Sequence, residues 1–271
     1  MRPDSSELPQ ETSDSNSSAG AEVLTTATRR SLRKWRLGQL LLLLVVVFLL
    51  ATLLLPAIRR VGPVSRISEC RGNLKAIGRA VRQYTEQHGA YPPAYTVDAY
   101  GRRLHSWRTL LLPYLGQQSL YDQIDLSQPW HAAVHDRVRA TVVPAYHCPS
   151  LEQGSTKTGY LSVVTEASLL GPGRSIPAKA VERPLDKLLI CIEVNAERTV
   201  HWMSPFDLSA EEFFGLKRDG AMSHVSRDRP YFFYYWANAE GQVSSIAGDT
   251  STDERREMIS AIGREPSEVQ E

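Results

Sequence analysis

The sequence predicts an α+β protein: one membrane-spanning helix near the N-terminus, then a domain with helices early and antiparallel strands late. Three observations carry this. Leu37 to Ile58 is a run of 22 residues with one amide, Gln39, and no charge. From Ile67 to Tyr84 the apolar residues recur every three or four positions, the period of an amphipathic helix. From Gly159 onward the pattern changes to short β-rich runs bounded by Gly, Pro and charged residues.

A helix of the length of the first run rises roughly 33 Å, enough to cross a hydrocarbon core of about 30 Å. Between Leu40 and Leu55 only Thr52 is polar, a purity that soluble core helices rarely show. The apolar core is longer than that of a signal peptide, and Pro56-Ala57-Ile58-Arg59-Arg60 is a poor cleavage context, so the run reads as an uncleaved signal anchor. Arg29, Arg30, Arg33, Lys34 and Arg36 precede it, and Arg59, Arg60 and Arg66 follow. That asymmetry puts the N-terminus in the cytoplasm and the domain outside it, at the inner membrane. Over the whole chain of 271 residues, 31 Lys plus Arg balance 30 Asp plus Glu, so no global field selects a nucleic acid or an acidic partner.

Residues 1–28 are polar and hold almost no large apolar side chain before Val23, which predicts a disordered cytoplasmic tail over 1–36. A linker follows the span over 59–64, because Gly62-Pro63 interrupts a helix. The next helix is predicted from Ser65, with Ile67, Cys70, Leu74, Ile77, Val81 and Tyr84 as its buried stripe and Gly89 as its stop. Trp107, Leu110, Leu111, Tyr114 and Leu115 predict a helical stretch kinked at Pro113, and Leu120, Tyr121 and Ile124 a further turn. Trp130 to Val143 reads as another helix, ended by Pro144. Strands are predicted over Tyr160 to Thr165, Lys187 to Val194, Tyr231 to Trp236 and Gly241 to Ile246, the last two paired across Asn238-Ala239-Glu240-Gly241. Ser209 with Glu212 has capping-box spacing ahead of Phe213. The domain is expected to run over 65–250, leaving 251–271 as a tail with one weak helix.

This order of segments is similar to that of a known family. The relevant stretches are Cys70-Arg71-Gly72-Asn73-Leu74, Gly89-Ala90-Tyr91-Pro92-Pro93 and Ser106-Trp107 leading to Leu112-Pro113-Tyr114-Leu115. Tyr146-His147-Cys148-Pro149-Ser150, a strand-ending Glu193, Trp202 and Asp207-Leu208 continue the series. Over about residues 35 to 250 the chain resembles the planctomycete-type prepilin-like membrane proteins with the domain of unknown function fifteen fifty-nine. The resemblance implies a pilin-like plan, with a long N-terminal helix whose second half lies on an antiparallel sheet. It implies a pseudopilin-related envelope protein with no assigned catalytic residue.

The chain departs from that family at its processing signal. Where relatives carry Gly and Glu, Lys34 and Gln39 stand here, with Trp35 at the aromatic position. The prepilin peptidase is therefore not expected to cut, and the Glu charge that pairs inside the membrane in pilin assembly is missing. The family's His and Asp-Gly pair near the C-terminus is degenerate, with His224 and then Glu240-Gly241.

Candidate chemistry is sparse. His131 and His135 are one helical turn apart, but no third ligand is evident; two exposed histidines are the expectation, and no metal or cofactor. Gly154 to Gly159 has the composition of a phosphate loop in the wrong order. Ser150, His224 and Asp249 form a triple without a nucleophile elbow. With three cysteines, one disulfide leaves one thiol over. Cys70 and Cys148, which sit in the segments that most resemble the family, are the candidate pair; Cys191 reads as a small buried apolar residue. The rival reading is two separate buried thiols.

The sequence thus predicts a non-enzymatic, single-pass envelope protein with a pseudopilin-like structural or interaction role. Its expected partners are the lipid bilayer and other envelope or secretion-system proteins, with no nucleic acid. The alternative is a glycan-binding module that uses an aromatic surface of Tyr231, Phe233, Tyr235 and Trp236.

Overall fold

The computed structural model describes residues 35, 38–50, 52, 63–149, 151–216 and 233–262. The chain divides into two units, Met1–Val61 and Gly62–Glu271.

In the first unit residues 38–50 form helix α1. Every large apolar side chain from Leu40 to Leu50 is exposed, between 45 % and 68 %. Thr52 donates its hydroxyl back to the Leu49 carbonyl at 2.8 Å. Among the described residues no helix is long and apolar enough to cross a membrane. The predicted span includes residues 37, 51 and 53–58, which lie outside the described set, as do the tail predicted over 1–36 (Trp35 excepted) and residues 59–62 of the linker.

The second unit opens with α2, Pro63–His88. It starts inside the predicted linker because Pro is tolerated in a first helical turn, where its missing N–H costs nothing. Gly89, at φ 68°, ends the helix, and its N–H closes on the Thr85 carbonyl at 2.8 Å. Then follow β1 (Ala90–Tyr91), β2 (Tyr95–Val97), β3 (Arg103–Ser106), α3 (Trp107–Leu110), α4 (Gln118–Tyr121) and α5 (Asp136–Arg139). The second half holds β4 (Lys157–Thr158), β5 (Tyr160–Leu161), β6 (Ile176–Pro177), β7 (Leu189–Glu193) and β8 (Val200–His201). It closes with α6 (Ala210–Phe214), β9 (Phe233–Asn238), β10 (Val243–Ala247) and α7 (Thr252–Ile259). Strands β10, β9, β7 and β5 make one antiparallel sheet in that order, and β1–β6, β2–β3 and β4–β8 are small antiparallel ribbons. The class is α+β.

Alternation along β9 gives the sheet two buried faces. Tyr235 and Ala237 belong to the core under α2, with Cys70, Leu74, Ile77 and Val81 from the helix. Tyr234 and Trp236 belong to a second core, with Phe213 near the end of α6 and Met258 and Ile259 of α7. In β7 a register shift between Leu189 and Cys191 opposite β9 resets the alternation. Ile190 and Cys191 consequently share the α2 core, while Leu189 and Ile192 share the other. Helix and sheet meet most closely at two glycines. A Cβ on Gly78 would lie 2.7 Å from the Cα of Gly241, itself at φ 78° in the β9–β10 turn.

Two expectations need correcting. Trp130 to Val143 is not one helix but a turn, a 3-10 turn at Ala133–His135 and the short α5. Trp130, Val138 and Val143 nonetheless pack into the core under α2. Packing also continues past residue 250: α7 is buried through Arg255, Met258 and Ile259, and the Ala261 N–H donates to the Ala167 carbonyl at 2.8 Å. The predicted capping box stands, with Ser209 and Glu212 exchanging hydrogen bonds at the start of α6.

Candidate functional site

The segments that carry the family resemblance fold into two buried polar clusters. The first lies under the N-terminal half of α2. Cys70 sits on its buried stripe, and Asn73 lies one turn on, near the same face. Pro144 starts a 3-10 turn at Pro144–Tyr146, and Tyr146 anchors it by donating its hydroxyl to the Arg108 carbonyl at 2.8 Å. Asn73 donates its amide to the His147 carbonyl at 2.9 Å and to the Tyr160 hydroxyl at 3.3 Å. Holding the carbonyl before Cys148 brings the two thiols together: Cys70 and Cys148 Sγ are 3.5 Å apart, and both side chains are buried. Glu193, at the end of β7, completes the cluster. Its carboxylate oxygen and the two sulfurs all lie within 4.8 Å of one another.

The electrostatics follow from burial. The contact with Cys148, desolvation and the nearby Glu193 carboxylate push the Cys70 thiol far above the ordinary thiol range. Burial does the same to the Tyr160 hydroxyl and to the Cys191 thiol. The cluster therefore places a neutral Cys70 thiol against a second buried cysteine and a glutamate side chain. Among the described residues, Cys70, Cys148 and Glu193 form a group that suits a thiophilic metal ion, and the two cysteines are also the halves of a potential disulfide.

The second cluster centres on Arg108 in the first turn of α3. Arg108 is an isolated cation in the apolar run Trp107 to Leu115, and the tertiary fold satisfies it completely. Nε donates to the Trp202 carbonyl, Nη1 to the Tyr160 carbonyl and Asp207 Oδ1, and Nη2 to the Ser204 and Phe206 carbonyls. The Arg108–Asp207 contact is 2.7 Å, with the two side chains 0 % and 1 % exposed. Asp207 also accepts from the Trp107 indole at 3.2 Å and the Ser162 N–H at 2.8 Å. Burial pushes its carboxyl up, and the Arg108 guanidinium and these donors pull against that shift. Neither group faces solvent, so the pair is a clasp between segments rather than a reactive site.

The histidines are used by the backbone too. His135 is buried, not exposed as expected; its Nδ1 faces the Pro129 carbonyl at 3.1 Å and its Nε2 accepts from the Asp125 N–H at 3.1 Å. With both ring nitrogens engaged and His131 exposed, the His131/His135 pair does not converge. His201 is held in the same way by the Arg139 carbonyl and the Met203 N–H. His105 Nε2 meets the Gln128 carbonyl at 2.7 Å, and its Nδ1 is buried without a hydrogen-bond partner among the described residues. Burial lowers the proton affinity of His105 and His201.

The expected aromatic surface does not form one face. Trp236 is buried, 7 % exposed, in the core behind the sheet. Tyr235 points the opposite way, partly buried against the α2 core with the Arg71 guanidinium 5.5 Å from its ring centroid. Alternation along β9 separates them, so they cannot stack on one sugar. Tyr231 and the side chain of Phe233 lie outside the described residues, as do Ser150 and His224 of the hydrolase-like triple.

Residues 63–179 match the family model described as "Protein of unknown function (DUF1559)". Over that stretch, less than half of its length, the chain is similar to this family. This is the family that the sequence resembles. No curated protein and no solved structure matches the chain. The matched stretch contains Cys70, Asn73, Arg108, Cys148 and Tyr160, while Glu193, Trp202 and Asp207 come from beyond it and complete both clusters. The sequence reading missed Arg108 and its partners. The available signal was a lone cation in an apolar run, which requires either exposure or a buried counter-charge.

Proposed function

We propose that this protein is a non-enzymatic, membrane-anchored envelope protein whose α+β domain has a pseudopilin-like structural or interaction role outside the cytoplasm. The observation that carries the reading is α1, with eleven consecutive large apolar side chains exposed from Leu40 to Leu50. Burying such side chains is worth roughly 1.5–3 kcal/mol each. Their sum exceeds the net stability of about 5–15 kcal/mol typical of a whole domain, so this helix needs an apolar cover. A bilayer suits it: the run carries no charge, and the one hydroxyl, Thr52, is satisfied within the helix. The five basic residues ahead of the run against three after it favour a cytoplasmic N-terminus.

The pseudopilin-like part of the reading is supported by the plan of the second unit, in which α2 covers one face of a four-stranded antiparallel sheet. The non-enzymatic part is supported by the fate of the polar residues in the resembling segments. Asn73, Arg108 and Asp207 are spent on internal hydrogen bonds. The test is carbonate extraction of native membranes combined with protease added to intact spheroplasts. The protein should stay in the membrane pellet, and the domain beyond Pro63 should be digested. Release by carbonate would refute the anchor, and protection of the domain would reverse the topology.

A further inference from the structure

We propose that Cys70 and Cys148 are the two halves of a disulfide that staples α2 to the segment following the Pro144–Tyr146 turn. The geometry carries it. Two sulfurs from positions 78 residues apart meet at 3.5 Å, within a core where both side chains are 1 % exposed or less. A disulfide sulfur pair is separated by about 2.05 Å, so the bond needs roughly 1.5 Å of approach, within the range of small rotations at two side chains. The neighbouring contacts already hold the partners. Asn73, three residues along α2 from Cys70, grips the carbonyl of His147, the residue before Cys148. Cys191 has a different place: it is buried on β7 beside the Arg108–Asp207 pair and is the thiol left over.

The chemistry is thiol–disulfide exchange with a low-molecular-weight disulfide such as oxidised glutathione. One cysteine, as thiolate, attacks that disulfide, forming a mixed disulfide and releasing one reduced thiol. The second cysteine attacks the protein sulfur of the mixed disulfide, forming the Cys70–Cys148 bond and releasing a second reduced thiol. The two protein protons end on the two released thiols, and the small disulfide is the species reduced. In the folded core both thiols are shut away from any such reagent. The bond therefore closes during folding, before the segment after Pro144 seals over α2. Formation in the cell rests on the reading that the domain lies in an oxidising compartment.

The test uses the full chain in detergent micelles, unfolded with reductant and refolded in a mixture of reduced and oxidised glutathione. The product is unfolded without reductant, alkylated with iodoacetamide and weighed intact. The expected result is one alkylated thiol before reduction and three after it, with a peptide map joining Cys70 to Cys148. The Cys148→Ser variant should show two alkylated thiols, with or without reduction. Three alkylated thiols in the refolded wild-type chain, or a bond that includes Cys191, would overturn the proposal. So would one equivalent of zinc per chain retained with all three thiols reduced, which would assign Cys70, Cys148 and Glu193 to a metal. A second sample, trapped with alkylating reagent directly in cells, separates this proposal from the location. A bond that forms on refolding but is absent from cells upholds the geometry and counts against the oxidising compartment.

Discussion

Replacing Gly78 by Ala should destabilise the domain, although the same change elsewhere on α2 should stabilise it. An added Cβ would lie 2.7 Å from the Gly241 Cα and 3.3 Å from its carbonyl carbon. Carbon atoms pack at about 3.5–4.0 Å, so α2 and the β9–β10 turn must separate by about 1 Å. Both partners are backbone, and no side chain can rotate to absorb the strain. Forcing such overpacking costs roughly 1–3 kcal/mol, and opening the α2 core weakens its dispersion contacts as well. Against this, Gly→Ala in a helix gains about 0.8–1 kcal/mol. The net expectation is a loss of up to about 2 kcal/mol, or a melting temperature lower by up to roughly 8 °C for a domain of this size. Gly72 is the control: it lies on the same helix, is exposed, and an added Cβ there meets nothing within 4 Å. Gly72→Ala should raise the melting temperature by roughly 2–4 °C through the helix term alone. Thermal unfolding of the full chain in detergent, followed by circular dichroism, measures both. Equal rises for the two variants would show that α2 does not press on the β9–β10 turn.

Ile77 is fully buried between α2 and the sheet, so Ile77→Asp should cost several kcal/mol through an unpaired charge, whereas Ile77→Val should cost about 0.5–1.5 kcal/mol; an unchanged melting temperature for the Asp variant would remove α2 from the core. Arg108→Met leaves Asp207 buried without its cation and should cost about 3–5 kcal/mol, part of which the double change Arg108→Met with Asp207→Leu should restore. A double variant no more stable than the single one would mean that the two charges are not coupled. His105 and His201 bind protons less readily when folded than the unfolded value of about 6.5, so between the two values the unfolded chain holds more protons. Stability should be flat above about pH 6.5 and fall as the pH drops below it, and the slope just below about pH 6.5 should shrink in His105→Gln with His201→Gln. Denaturant titrations across that range that show no change of slope would refute the assignment.

Much of the fold was legible because its determinants are local. The spacing of Cys70, Leu74, Ile77 and Val81 specifies the face of α2, and Gly89 its end. Ser209 with Glu212 specifies the start of α6, and the Asn238 to Gly241 turn specifies the β9–β10 pairing. The same local rules misread Trp130 to Val143, whose apolar residues reach the core from a turn, a 3-10 turn and a short helix rather than from one continuous helix. They also left α7 outside the domain, because its two buried apolar residues gain their value only from the β9 face they cover.

What the sequence by itself determined is the uncharged apolar run of α1, the amphipathic α2 and the α+β order, written in composition and in periods of two and 3.6 residues, together with the similarity to the DUF1559 family over residues 63–179. Only the tertiary structure decided which polar residues meet. It set Arg108 on Asp207 across 99 positions, Cys70 on Cys148 across 78, and Trp236 and Tyr235 on opposite sides of one sheet. The physical reason is that burial and pairing are properties of segments brought together from far apart in the chain, and no local pattern encodes the distance between two side chains that the sheet and α2 bring into contact.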